Sequence, residues 1–156
     1  MIFDTLQAQM NKERMNAAQY AAFAACLDAA NWPGFAAWMR KASADELVHA
    51  SKFEAYLIDR NQTPVYEALD KPNALDGAQP VSFFQAALIL EQMNTASILA
   101  IDAEAEAVDD CQTEVFLIDW IAEQTRSERE ITDALLELRR VDATGLLMLD
   151  REYASK

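Results

Sequence analysis

Apolar residues recur in alternating steps of four and three along four stretches of this chain, and neither glycine nor proline interrupts any of them. That spacing keeps one face of a helix continuously apolar, so each stretch reads as a long helix with a buried stripe. In the second stretch the stripe runs Phe35, Met39, Ala42, Glu46, His49, Phe53 and Tyr56. A carboxylate and the only histidine of the chain thus stand at core positions, three residues apart on one helical face. Such a pair is half of a divalent-metal site.

The other stretches repeat the pattern. Leu6, Met10, Glu13, Ala17, Tyr20, Ala24 and Leu27 form the stripe of a first helix over residues 5–31, with Glu13 where an apolar residue belongs. Trp32-Pro33-Gly34 ends it in a tight turn. A link this short makes the second helix, residues 35–61, antiparallel to the first. Residues 62–81 carry three prolines and little periodicity, which reads as an irregular loop of unusual length. At about 3.3 Å per residue such a loop spans some 60 Å, more than the length of a bundle helix, so it can cross from one end to the other. The third helix is then parallel to the second. Ser82 and Gln85, in capping-box spacing, open it, and it extends to about Asp109 with Phe84, Ala87, Glu91, Asn94, Ile98, Ile101 and Ala105 inward. The fourth, residues 112–140, turns Leu117, Trp120, Gln124, Ser127, Ile131, Ala134 and Leu138 inward, with Glu123 and Glu128 beside the stripe. A short fifth helix is predicted over residues 142–153, packed on a neighbour or between subunits. The expected fold class is all-α, a four-helix bundle with one long crossover, forming one domain over residues 1–156 with the bundle at about 5–140.

Counting about 1.5 Å per residue along each helix puts Glu13, Glu46, His49, Glu91 and Gln124 near one level at mid-bundle. Buried carboxylates gathered there would repel, and each costs several kcal/mol to desolvate unless a dication neutralises them. Two glutamates and a Glu-x-x-His pair match most of a di-iron carboxylate arrangement. A second Glu-x-x-His is missing, because Glu123-Gln124-Thr125-Arg126 has arginine at the histidine position. The better furnished metal position uses Glu13, Glu46 and His49, and the other has Glu46 as bridge, Glu91, and Gln124 or water. The net charge of −13 fits a protein that attracts cations and argues against nucleic acid or an anionic membrane as partner. Cys26 and Cys111 lack CxxC spacing, and the N-terminus has no basic-then-apolar leader, which together predict a reducing, cytoplasmic compartment.

Ligand spacing alone does not carry a family, but longer stretches do. Gln9-Met10-Asn11-Lys12-Glu13, the run Pro33 to Lys41, Asp45 to His49, Leu90-Glu91-Gln92, Glu123-Gln124 and Gly145 to Glu152 together resemble a non-haem ferritin over nearly the whole chain. The resemblance implies a ferroxidase that oxidises Fe(II) with O2 or peroxide and stores a ferric mineral in a cage of twenty-four identical subunits. It implies Glu13, Glu46, His49 and Glu91 as ligands of two irons per subunit, Gln124 as a near-site residue, and Tyr20 as a hydrogen-bonding and electron-donating tyrosine. Ser127 stands where many bacterial relatives have a further carboxylate, so Glu128 or Glu123 is the candidate to swing inward. A third iron position near Asp45, Glu123 and Arg126 is expected to be weakened by the arginine. Haem is not expected, since Leu47 stands where a haem-ligating methionine would be. Two other functions remain open: a storage subunit with little ferroxidase activity, and a dimeric di-iron carboxylate enzyme acting on peroxide or an organic substrate.

Overall fold

The computed structural model describes every residue except 76 and 78, and its described residues form five helices and no strand. They are α1 (Ile2–Ala29), α2 (Pro33–Asp59), α3 (Pro80–Ala107), α4 (Cys111–Arg140) and α5 (Ala143–Tyr153). Side-chain bonds fix their directions. Ser43 bonds the Ala17 carbonyl while Arg40 bonds Asp28, so α1 and α2 are antiparallel. Thr5 meets Glu104 and Tyr20 meets Glu91, so α1 and α3 are antiparallel as well. It follows that α2 and α3 are parallel, as the long crossover requires. None of these helices is long and apolar enough to cross a membrane.

Helix ends follow local chemistry. Asn31, Asn61 and Asp109 adopt left-handed backbone with φ of 63°, 57° and 56°, a conformation that asparagine and aspartate tolerate better than most residues. In each case the next amide reaches back past the last turn: Trp32 N to Leu27 O, Gln62 N to Leu57 O and Asp110 N to Ala105 O, at 2.8–2.9 Å. These are Schellman ends, and they stop α1, α2 and α3 without glycine. Two predicted starts need correction. Helix α1 begins at Ile2, a turn earlier than the stripe suggested, and α3 begins at Pro80 behind an N-cap at Gln79. Ser82 therefore lies inside the first turn of α3, because the preset φ of proline suits the first helical position.

The crossover is an irregular strap of residues 60–79, of which positions 76 and 78 lie outside the described residues. It is held along α1 by amide side chains. Gln7 pairs with both backbone groups of Val65, Asn11 accepts from Glu67 N and donates to Val65 O, and Gln19 pairs with both backbone groups of Asn73. Each primary amide thereby satisfies loop backbone that has no secondary-structure partner of its own. These bonds tie the strap to α1 at Val65, Glu67 and Asn73, where α1 presents a matching row of donors and acceptors.

The apolar core is in two pieces. One cluster, around Phe23, Phe35, Met39, Phe84 and Tyr153, fills the end of the bundle next to α5. The other, around Leu6, Met10, Phe53, Ile101 and Trp120, fills the opposite end. Between them lies a buried polar layer of Gln9, Glu13, Asn16, Glu46, His49, Glu91, Asn94 and Gln124. The stripes predicted for α1 and α3 are buried throughout. On α2 the register drifts after Phe53, so Leu57 is buried and Tyr56 only partly so.

Helix α5 packs on α2 of its own chain. Asp142 caps it by accepting from Gly145 N at 2.8 Å, and Asp150 Oδ1 accepts from Phe35 N at 2.9 Å, which satisfies a free amide in the first turn of α2. Gly34 is what permits this approach: a Cβ there would lie 1.5 Å from the Asp150 carbonyl oxygen.

Candidate metal centre

The polar layer is assembled from all four long helices. Glu13 of α1 and Glu46 and His49 of α2 bring one ligand atom each within 4.8 Å of one another, all buried. Glu91 of α3 lies beside them, held by two donors: Tyr20 Oη at 2.5 Å and Gln124 Nε2 at 3.2 Å. Glu13 is gripped from its other side by amides. Gln9 Nε2 donates to Glu13 Oε1 at 2.6 Å and Asn94 Nδ2 approaches both carboxylate oxygens at 3.2 and 3.3 Å. Asn16 Nδ2 reaches Glu46 Oε2 at 3.4 Å. The residues expected at the centre are therefore brought together, with one exception. Glu128 turns toward α3, where its carboxylate accepts from Thr95, and Ser127, expected on the inward stripe, is only half-buried. The acid that reaches the histidine is Glu123, whose Oε1 lies 3.0 Å from His49 Nε2.

Three carboxyl groups in one desolvated layer cannot all ionise without cost. Burial pushes Glu13 well above the usual carboxylate range, and the neighbouring Glu46 carboxyl pushes it the same way. Glu46 is raised to about 7, first by burial and then by the nearby Glu91 charge, against the bonds from Glu13 and Asn16. Burial also raises Glu91, opposed by its bonds from Tyr20 and Gln124. Glu123 goes the other way: partial burial would raise it, but the His49 bond and the charges of Lys52 and Arg126 outweigh that and hold it low.

These shifts have a direct consequence for stability. For Glu46 the folded value of about 7 exceeds the unfolded value of 4.5, so the folded state binds more protons between the two. Its contribution is fully present below pH 4.5 and is lost as pH rises through 7. Chelator-treated protein should therefore lose on the order of 2 kcal/mol from this group between about pH 5 and pH 8. Urea midpoints at the two pH values test this, and Zn(II) should reverse the trend. A rise in stability of the metal-free protein over the same window would contradict it.

The donor set fits a cation. Three buried polar atoms have no hydrogen-bond partner among the described residues: Gln9 Oε1, Gln124 Oε1 and His49 Nδ1. The last lies 3.5 Å from Glu46 Oε1, within the same group of three ligand atoms. Oxygen donors with one imidazole suit iron, zinc or manganese. A cavity of about 340 Å³ opens between α2 and α4 onto this layer, lined by Glu46, His49 and Glu91 within and by Lys41, Lys52 and Arg126 at exposed positions. Sequence reasoning did not assign Gln9, Asn16 or Asn94 to the centre. Asn94 carried a signal, being polar on a stripe, whereas Gln9 and Asn16 lie beside the α1 stripe and reach in only through their side-chain length.

Comparison with known proteins identifies the family and the fold. The ferritin-like domain family matches residues 3–141. The soma ferritin of Lymnaea stagnalis is 30% identical over 125 residues, covering 79% of this chain and 72% of that protein. A bacterial non-heme ferritin of Staphylococcus aureus (strain USA300) is 26% identical over 157 residues, covering 99% and 94%. Among solved structures, an engineered closed form of the Archaeoglobus fulgidus ferritin superposes with a TM-score of 0.96 at 29% identity, covering 99% of this chain and 95% of that one. The open-pore ferritin from the same archaeon gives 0.96 at 28% identity, covering 99% and 96%.

Proposed function

Since the chain belongs to the ferritin family, as a non-haem member of prokaryotic type, we propose that it oxidises Fe(II) at an intrasubunit di-iron centre and stores the ferric product in a cage of twenty-four subunits. Iron is the substrate here, two ions per subunit, with O2 or peroxide as oxidant and no haem. The observation that carries the reading is the meeting of Glu13, Glu46 and His49 within 4.8 Å in a buried layer between two apolar clusters. Carboxylates so placed are tolerable when a cation takes the place of their protons.

In this reading Glu13 and His49 hold the first iron, Glu46 bridges, and Glu91 with Gln124 faces the second. Each Fe(II) gives up one electron and O2 takes both, with two protons, to become hydrogen peroxide. Glu46 gives up its proton when iron enters, so binding should weaken as pH falls below about 7. Tyr20 aims Glu91 through its short hydrogen bond and is the proposed electron donor beside the site. Tyr20→Phe should fold normally but slow oxidation by roughly tenfold, the usual effect of losing a group that orients a ligand. An unchanged rate would assign Tyr20 to the core alone. Glu128 joins as a further carboxylate only by leaving Thr95.

Aerobic addition of Fe(II), followed by oxo-ferric absorbance and by particle mass, tests the proposal. Rapid oxidation in a particle of several hundred kilodaltons is the expected result, and a dimer would instead favour a di-iron enzyme of another kind. One observation favours a second reading, a cage subunit with little ferroxidase activity: Ser127 and Arg126 line the cavity where a further carboxylate and histidine would strengthen the second iron position. Single-turnover kinetics separates the two. The cytoplasm is the compartment proposed for this storage role.

A further inference from the structure

The ring of His49 is fixed from three sides, and only one of its contacts is a hydrogen bond. Nε2 lies 3.0 Å from Glu123 Oε1, whereas Nδ1 has no hydrogen-bond partner and faces Glu46, whose Oε1 lies 3.5 Å away. Trp120 packs edge-on against the imidazole at 5.1 Å, which blocks tilting of the ring. Glu123 is itself held away from the buried acids. Its second oxygen, Oε2, lies 3.7 Å from Lys52 Nζ, and Lys52 in turn sits over the Trp120 ring at 5.3 Å. A carboxylate paired in this way accepts hydrogen bonds and cannot donate them.

We propose that Glu123 is a positioning residue: by accepting the Nε2 proton it holds His49 in the tautomer whose bare Nδ1 points at Glu46, and it takes no metal itself. The inference rests on the proposed centre for its purpose, but its geometry concerns the metal-free ring. A ring nitrogen without its proton is the only form that can ligate, and which nitrogen that is follows from the bond made by the other. Without Glu123, Glu46 Oε1 at 3.5 Å from Nδ1 becomes the acceptor within reach, and a proton moved to Nδ1 would mask the ligating atom. Glu123 is about a third exposed, so replacing it removes little packing.

Because His49 is the only histidine, its ring can be observed without assignment. Histidine-labelled, chelator-treated protein at about pH 9 is studied by solid-state nitrogen-15 NMR, with carbon correlations to tell the two nitrogens apart. The parent should show a bare Nδ1 and a protonated Nε2. Glu123→Leu should show protonated Nδ1 in a large fraction of molecules and bind Zn(II) roughly 10- to 100-fold more weakly. Glu123→Gln keeps an oxygen acceptor and should restore both the parent tautomer and most of the Zn(II) affinity. A bare Nε2 or two protonated nitrogens in the parent overturns the proposal, as does a Glu123→Leu spectrum identical to the parent's. Loss of Zn(II) affinity in Glu123→Gln as severe as in Glu123→Leu overturns it too, since that marks Glu123 as a ligand. Failure of the parent to bind Zn(II), with the tautomer as stated, would instead sink the proposed centre and leave the hydrogen bond standing.

Discussion

Glu46→Ala and His49→Ala are each expected to slow aerobic oxidation of Fe(II) by about 100-fold or more, because each removes a donor from the better furnished metal position. Glu46 is the more consequential of the two, as it faces both His49 and the side of Glu91. A skeptic would attribute the loss to unfolding, and the charge state of the layer answers that. Glu46 is held at about 7 chiefly by burial, so its ionised form is a burden on the metal-free fold at neutral pH. Glu46→Gln keeps the shape of the side chain and removes that burden. The chelated variant should be at least as stable as the parent at about pH 8 while oxidising Fe(II) as poorly as Glu46→Ala. Activity and stability thus move in opposite directions, which general damage to the fold cannot produce. Parent-like oxidation in both alanine variants would remove these residues from the site.

The largest effect on stability is expected far from the metal centre. Gly34→Ala puts a methyl group 1.5 Å from the Asp150 carbonyl oxygen, where it meets backbone and not a movable side-chain tip. Helix α5 must then lift off the start of α2, breaking the Phe35 N to Asp150 bond and loosening Tyr153 from Phe35 and Phe84. Overpacking of this kind costs about 3 kcal/mol or more, and the better helix propensity of alanine, about 1 kcal/mol, offsets only part of it. The net effect is a fall in Tm of roughly 4–10 °C for a chain of this length, with faster amide exchange throughout α5. A Tm within about 1 °C of the parent would mean that α5 adjusts freely and contributes little.

Gly34 illustrates where sequence reasoning stops. It reads as a turn residue after Pro33, which is half the truth, since its second role depends on Asp150 arriving from the far end of the chain. Glu46 and His49 were legible because they break an apolar stripe, and a stripe is a local property of one helix. Glu13 and Glu91 were legible for the same reason. Glu123 was legible only as an acid beside its stripe that could swing inward, and its bond to His49 was not, since that contact depends on how α4 turns against α2. Gln7, Asn11 and Gln19 look like ordinary polar positions, and only the path of the crossover shows that they hold it. The helix ends at Asn31, Asn61 and Asp109 fall close to the expected boundaries. The starts of α1 and α3 do not, because stripes report burial and say nothing of exposed first turns.

The most direct test is anomalous diffraction from crystals soaked in Zn(II), with Fe(II) under anaerobic conditions as the second soak. The expected result is a peak bounded by Glu13, Glu46 and His49 Nδ1, and a weaker one toward Glu91 and Gln124. No peak in the polar layer, or metal bound only at exposed acids, would contradict it.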